Sequence, residues 1–102
     1  MGNRKAGIEN ELSHFREQID RIDEQLIELL AARYAVVLEV LALKKASGVP
    51  AIDRAREDAV ADRLESLAAG KLPPGVAKRL ARVVITVLRD EAAFRLGWYA
   101  GH

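Results

Sequence analysis

The sequence predicts an all-α protein of three helices, the first of them very long. Between residues 10 and 96, chain breakers occur in two places only: Gly48 with Pro50, and the segment 70–75, which holds two glycines and two prolines. The intervening stretches are rich in Ala, Leu, Glu and Arg, with apolar residues at helical spacing. No run of alternating β-branched residues is present, so no strand is predicted.

The first helix is predicted over residues 10–46, behind a flexible N-terminal tail of residues 1–9. At 1.5 Å per residue such a helix is a rod of roughly 55 Å, whereas a compact domain of this length has a radius of gyration of about 13 Å. The roughly 50 residues outside the rod cannot cover its apolar side from end to end. A second copy of the chain can, so a homodimer with paired long helices is expected.

Two cations interrupt the apolar stripe of this first helix. On a helical wheel the stripe is centred near ~70°, and Arg33 and Lys44 fall at roughly 60° and 80°. A buried cation without a partner is costly, so either the chain's own carboxylates meet the two, or a bound anion does, or both side chains extend out to water. Two long cations on one stripe favour the anion site. Arg16 lies at the edge of the same face and would point towards the partner's cations in an antiparallel dimer. The stripe consists of Ile19, Ile22, Leu26, Leu29, Val37 and Val40.

The second helix is predicted over residues 53–69, with Asp53 as its N-cap. Its inner face is formed by Val60, Leu64 and Leu67. Asp53, Arg56 and Glu57 lie on that face or at its margins in the first turns, either as a cap and charge pairs along the helix or as site residues. Arg54 and Arg63 lie where solvated charges are expected.

The third helix is predicted over residues 74–96, with Pro73 or Pro74 in its first turn. Glu91 falls inside its apolar stripe, near ~100° on the wheel, while Arg89 and Asp90 fall off it. An inward Glu is expected to be ion-paired or protonated, with the inward cations or their ligand as partners. The stripe consists of Val76, Leu80, Val83, Val87 and Phe94.

Composition narrows the class of function. The chain carries 16 Lys and Arg against 15 Asp and Glu, and 5% aromatic residues, which argues against nucleic-acid binding. No run of about 18 apolar residues exists, so no membrane association is predicted, and the absence of cysteine fits the cytoplasm. No nucleophile, metal-ligand set or cofactor motif stands out. The pocket therefore suits a small polyanion held by salt bridges, with no metal and no cofactor.

The residues singled out above also carry a resemblance. The sequence resembles the all-helical (AroQ-class, type II) chorismate mutases from Leu12 onward, and the spacings between the charged residues agree with that family's pattern. The stretches concerned are Arg16-Glu-Gln-Ile-Asp-Arg-Ile-Asp23, Leu29-Leu-Ala-Ala-Arg33, Lys44 and Pro50-Ala-Ile-Asp53-Arg-Ala-Arg56-Glu57. The resemblance implies an intertwined homodimeric helical bundle that rearranges chorismate to prephenate in aromatic biosynthesis.

The resemblance also implies roles for these residues. Arg33 and the partner's Arg16 bind the carboxylates of chorismate, and Lys44 contacts a carboxylate and the ether oxygen. Asp53 and Glu57 meet the ring hydroxyl, and Arg56 supports the site electrostatically.

The third helix departs from the family, whose best-known members carry a Ser and, one turn later, a Gln that contacts the ether oxygen. Alignment without a gap places Leu88 and Ala92 at these positions, whereas the wheel favours Val87 and Glu91. We take Glu91 as the catalytic acid, which must be protonated to donate to the ether oxygen.

Some alternatives remain open from the sequence. The same fold serves 4-amino-4-deoxychorismate mutases and isochorismate pyruvate lyases, although the intact Asp53-x-x-Arg56-Glu57 motif favours the mutase. A non-catalytic helical dimerisation module is the alternative from another class. The C-terminal tail of residues 98–102 ends a segment, Arg95-Leu-Gly-Trp-Tyr-Ala-Gly-His102, which is loosely similar to tails of short actinobacterial relatives that dock on the first enzyme of the shikimate pathway.

Overall fold

Three α-helices make up most of the chain in a computed structural model that describes residues 3–98. They are α1 (Asn3–Ser47), α2 (Arg54–Leu67) and α3 (Val76–Arg95). No strand occurs within residues 3–98, so the predicted all-α class with one very long helix is confirmed. None of the three helices is both long and apolar enough to cross a membrane.

The helix α1 begins earlier than predicted and ends close to the predicted residue. The helix already includes Asn3, so residues 3–9 are helical and the predicted flexible tail is wrong for them. The helix ends at Ser47, because Gly48 adopts a left-handed φ of 72° and Val49 donates its backbone N–H to the Lys44 carbonyl at 2.9 Å. A glycine in this conformation satisfies the last carbonyls of a helix, and Pro50 then prevents its continuation.

The start of α2 confirms the predicted cap. Asp53 has extended backbone angles (φ −123°, ψ 93°), and its side-chain Oδ1 accepts the backbone N–H of Arg56 at 3.0 Å. This hydrogen bond satisfies one of the four free donors at a helix N-terminus. It also fixes the first turn of α2, which carries Arg56 and Glu57.

The start of α3 is built differently from the prediction. Pro73 and Pro74 precede the helix, and the residue before its first turn is Gly75, with a left-handed φ of 85° and no side chain to cap. Glu65 of α2 provides the cap instead, because its carboxylate accepts the backbone N–H of Gly75 at 2.8 Å and that of Lys78 at 3.1 Å. These two hydrogen bonds lower the pKa of Glu65. A side chain of α2 thus holds the turn between α2 and α3 against the start of α3.

The chain divides into two units, and the boundary lies inside α1 between Arg33 and Tyr34. In the first unit every side chain from Arg4 to Leu29 is exposed. The large apolar residues in this stretch are exposed as well, with Ile22 at 61% and Leu29 at 70%. An exposed apolar surface of this extent is typical of a protein–protein interface.

The second unit contains two apolar clusters. The first joins the end of α1 to the end of α3: Leu41, only 2% exposed, packs with Ala51, Ala92 and Ala93, and Trp98 borders it. The second joins α2 to α3 through Ala61, Ala81 and Ile85, with Val60 and Leu64 alongside. Leu67, predicted on the inner face of α2, is instead 54% exposed. Residues 99–102 of the predicted tail, with the docking expected of it, lie outside the described residues.

The face of α3 that packs within the chain is not the predicted stripe. Four of its five stripe residues are exposed: Leu80, Val83, Val87 and Phe94 are 58%, 60%, 51% and 74% exposed, and Val76 is half-buried. The buried face carries Ala81, Ile85 and Ala92. Alanines let two helices approach closely, but they contribute little to a wheel dominated by large apolar residues. The third helix therefore has two apolar faces, and the prediction chose the one that the chain itself does not cover.

Candidate active site

Two of the predicted cations lie in the first unit, on α1. Arg16 is exposed, as are its neighbours, and Arg33, the last residue of the unit, is half-buried. Neither guanidinium forms a salt bridge among residues 3–98.

Lys44 lies in the second unit, near the end of α1. Its side chain is half-buried, and Nζ donates to the carbonyl of Ala51 at 3.4 Å, in the loop before α2. This is a long hydrogen bond to a neutral acceptor, and no carboxylate forms a salt bridge with Lys44 in the part of the chain that the structure describes. The ammonium is consequently available to an anionic ligand.

The first turn of α2 presents two more of the predicted residues. Asp53 and Arg56 are both exposed, and the cap hydrogen bond from the Arg56 backbone to the Asp53 side chain ties them together. The Asp53 carboxylate keeps its second oxygen for another donor. The Arg56 guanidinium projects from a helix N-terminus, where it adds to the positive end of the helix dipole and strengthens the attraction for an anion.

Glu57 makes the closest ionic contact of the second unit. Both of its carboxylate oxygens accept from Nη1 of Arg89 on α3 at 2.5 Å, and the two side chains are only 19% and 11% exposed. Arg89 also donates from Nε to Asp90 at 3.2 Å. Burial by itself would lower the pKa of Arg89, but the hydrogen bond and charge of Glu57, followed by those of Asp90, hold that pKa above its ordinary value.

Arg89 is therefore an interior residue, and its predicted place off the inner face of α3 is wrong. Among residues 3–98 it is the one charged residue classed as buried, with 9% of its surface exposed. It lies one helical turn after Ile85 and one before Ala92 and Ala93, on the face that packs inside the chain. A signal for it existed in the sequence: the inward Glu57 needs a cation, and Arg89 follows Ala81 and Ile85 at intervals of four.

Lys44 and Glu57 are each linked to α3 through another residue. Lys44 donates to Ala51, which packs in the same cluster as Ala92 and Ala93, while Glu57 meets α3 at Arg89. Leu88 is half-buried and Ala92 is fully buried on this side of the helix.

Val87 and Glu91, by contrast, are exposed on the other face of α3, with Leu80 and Val83. The interior position predicted for them is wrong within the single chain. The alignment without a gap places Leu88 and Ala92 at the positions of the family's Ser and Gln. Leu88 is half-buried and Ala92 is buried, as expected for that alignment.

Comparison with known proteins assigns the chain to a family. Residues 15–92 match the family described as chorismate mutase type II. The chain belongs to this family. A curated relative, the chorismate mutase of Methanocaldococcus jannaschii, is 34% identical over 56 residues, which cover 55% of this chain and 57% of that protein. The match thus spans little more than half of the relative's length, and no solved structure matches the chain significantly.

The region that matches the chorismate mutase family runs from the first unit to the interior part of α3. It contains every residue predicted for the site, and Arg89 in addition. The family assignment therefore covers the Lys44 and Glu57 region described above as well as Arg16 and Arg33 on α1.

Proposed function

We propose that this protein is a chorismate mutase, which converts chorismate to prephenate by a Claisen rearrangement. The observation that carries the proposal is the family match over residues 15–92, which spans all three helices and every charged residue of the candidate site. The relative from Methanocaldococcus jannaschii is also a chorismate mutase, which agrees with it. The availability of the Lys44 ammonium and the half-buried Glu57 carboxylate adds chemical support.

The proposed reaction needs few groups from the protein. In the rearrangement the ether C–O bond breaks while a C–C bond forms within one molecule, so neither a nucleophile nor an obligatory acid–base step is required. The protein has to hold the compact, chair-like conformer and to stabilise the negative charge that grows on the ether oxygen. Cations held on helices of a rigid framework suit both tasks.

We assign the residues as follows. Arg33 binds the substrate's carboxylates together with Arg16 of the partner subunit. Lys44 contacts a carboxylate and the ether oxygen. Asp53 and Glu57 contact the ring hydroxyl, and Arg56 contributes positive charge from the first turn of α2. Charges that are arranged before the substrate binds need little reorganisation during the reaction, which is the advantage of carrying them on helices.

We leave Val87 and Glu91 out of the proposed site, because their exposed side of α3 is the one that does not meet α2. Leu88 and Ala92, which flank Arg89 along α3, are instead proposed to contribute apolar surface to the site. A low-polarity wall strengthens the interaction of Lys44 with the developing oxyanion, because it excludes water from between them.

The proposed site also requires a homodimer. Most large apolar side chains along the first unit are more than half exposed in the single chain, including Phe15 at 57%, Ile19 at 55% and Leu26 at 51%. A contiguous exposed apolar stripe of this kind indicates a protein–protein interface, and a second copy of the same helix is a complementary partner. A sedimentation-velocity measurement should give twice the 11.2 kDa mass of the chain.

The activity is tested by the loss of chorismate absorbance with purified protein, followed by chromatographic separation of the products. Prephenate as the product supports the proposal. Chorismate left unchanged refutes it, whether the protein is a dimerisation module or acts on another compound, and pyruvate with salicylate from isochorismate identifies a lyase instead.

The Lys44→Met variant tests the role proposed for Lys44. It should lower kcat/KM by about 10²- to 10³-fold, the usual effect of removing a group that stabilises an oxyanion. Lys45→Met is the control, because Lys45 is the adjacent cation and donates only to the Leu96 carbonyl in the described chain. Equal losses in both variants, with unchanged circular dichroism, would contradict the role given to Lys44.

A further inference from the structure

Among the described residues, the Arg89–Glu57 ion pair differs from the two other ion pairs that link α2 and α3, which are Lys78–Asp62 and Arg82–Asp58. Arg82 and Asp58 bond at 3.0 Å with side chains that are 52% and 60% exposed, as is usual for surface charges. Arg89 and Glu57 are withdrawn from water, at 11% and 19%. A buried ion pair contributes little to stability compared with apolar residues of the same volume, so its presence in the core directs attention to function.

The pairing determines what Glu57 can offer to a ligand. Both carboxylate oxygens lie 2.5 Å from the same guanidinium nitrogen, so the carboxylate is ionised and its orientation is restrained. Each oxygen retains a further lone pair, so Glu57 can still accept a hydrogen bond while donating none. The charges of Glu57 and Arg89 cancel within the pair, so a ligand at Glu57 meets a neutral pair there, while the Asp53 and Asp90 carboxylates keep their own charges.

A neutral pair discriminates between two ring substituents. Chorismate presents a hydroxyl at the position that Glu57 is proposed to contact, whereas 4-amino-4-deoxychorismate presents an ammonium group. A free carboxylate attracts an ammonium strongly, but an ammonium bound to Glu57 would lie within roughly 6 Å of the Arg89 guanidinium and be repelled by it. A hydroxyl donates its hydrogen bond without that repulsion.

We propose that Arg89 is a positioning residue that makes the site selective for a ring hydroxyl over a ring ammonium group. It acts through Glu57, whose carboxylate it orients and neutralises. This inference rests on the proposed function, because it assumes that Glu57 contacts the ring substituent.

The test compares kcat/KM for chorismate with kcat/KM for 4-amino-4-deoxychorismate in the full-length protein and its variants. The wild type should prefer chorismate, and Arg89→Met should lower this preference by about tenfold to a hundredfold, the range expected from one nearby charge. Arg89→Lys retains the charge and should keep most of the preference. Arg82→Met is the matched control and should leave it unchanged. A merely structural role for Arg89 would lower both values of kcat/KM alike and leave their ratio as it was.

Glu57→Gln provides an independent readout where Arg89→Met does not fold. It leaves the positive charge of Arg89 uncompensated, so the preference for chorismate should rise, opposite to the effect of Arg89→Met. An unchanged ratio in Arg89→Met, a fall of the ratio in Glu57→Gln, or a wild type that prefers the amino substrate overturns the inference while the mutase activity stands. A wild type inactive on both substrates refutes the proposed function, and this inference with it.

Discussion

The buried ion pair leads to a quantitative prediction about stability. Glu57→Leu leaves the Arg89 guanidinium in the interior without its principal partner. Breaking a buried ion pair in this way costs about 3–5 kcal/mol. Asp90 remains at 3.2 Å from Nε, and the Arg89 side chain is still 11% exposed, so part of the penalty is relieved. We therefore expect the free energy of unfolding to fall by about 2–3 kcal/mol.

A double variant that removes both charges of the pair completes the comparison. Glu57→Leu with Arg89→Met replaces the pair by apolar side chains of similar length, so no buried charge is left, and stability should return to within about 1 kcal/mol of the wild type. The exposed pair is the control, because Asp58→Ala should cost only about 0.5 kcal/mol.

Urea unfolding followed by circular dichroism measures all four proteins, at one protomer concentration because the proposed dimer makes stability depend on it. Equal costs for Glu57→Leu and Asp58→Ala would show that the Arg89–Glu57 pair is not withdrawn from water, and would refute the reasoning.

Three further predictions concern α3. Glu65→Gln should lower Tm near neutral pH, because a neutral amide is a weaker acceptor for the backbone N–H groups of Gly75 and Lys78. These bonds lower the folded-state pKa of Glu65, so the stability that Glu65 contributes is present above its ordinary pKa of about 4.5 and is lost as the pH falls through the folded-state pKa. The fall of Tm at acid pH should therefore be shallower in Glu65→Gln than in the wild type. An equally steep fall in both proteins would contradict the cap. Gly75→Ala should lower the free energy of unfolding, measured in urea, by about 1 kcal/mol, because the residue has a left-handed φ of 85°. A steric clash is not the cause, since an added Cβ meets no atom within 4 Å. An unchanged free energy would show that the left-handed conformation is not required. Glu91→Gln should leave kcat/KM for chorismate and its pH profile nearly unchanged, because Glu91 is exposed on the outer face of α3; a large loss would restore Glu91 as the catalytic acid.

Much of the fold followed from local features of the sequence. The number of helices, the great length of α1 and the cap at Asp53 were predicted correctly, because each depends on residues within one or two turns of one another. The start of α3 was missed for the opposite reason. Its cap comes from Glu65, ten residues before Gly75 along the chain, and prolines before a helix resemble prolines in its first turn.

The charged residues of the site divide in the same way. Lys44 and Glu57 stood out by themselves, since each interrupts or borders an apolar face of its own helix. Arg89 did not, because the face of α3 that contains it consists largely of small residues, which give a weak signal on a wheel.

The sequence by itself determined the three helices, their caps near Gly48 and Asp53, and the family to which the chain belongs. Only the tertiary structure decided which of the two apolar faces of α3 is covered by α2, and hence that Arg89 is buried against Glu57 while Val87 and Glu91 are exposed. The physical reason is that helix formation depends on neighbours up to four residues away, whereas the choice of a packing face depends on how closely two distant helices can approach. Alanines at positions 61 and 81 permit that approach.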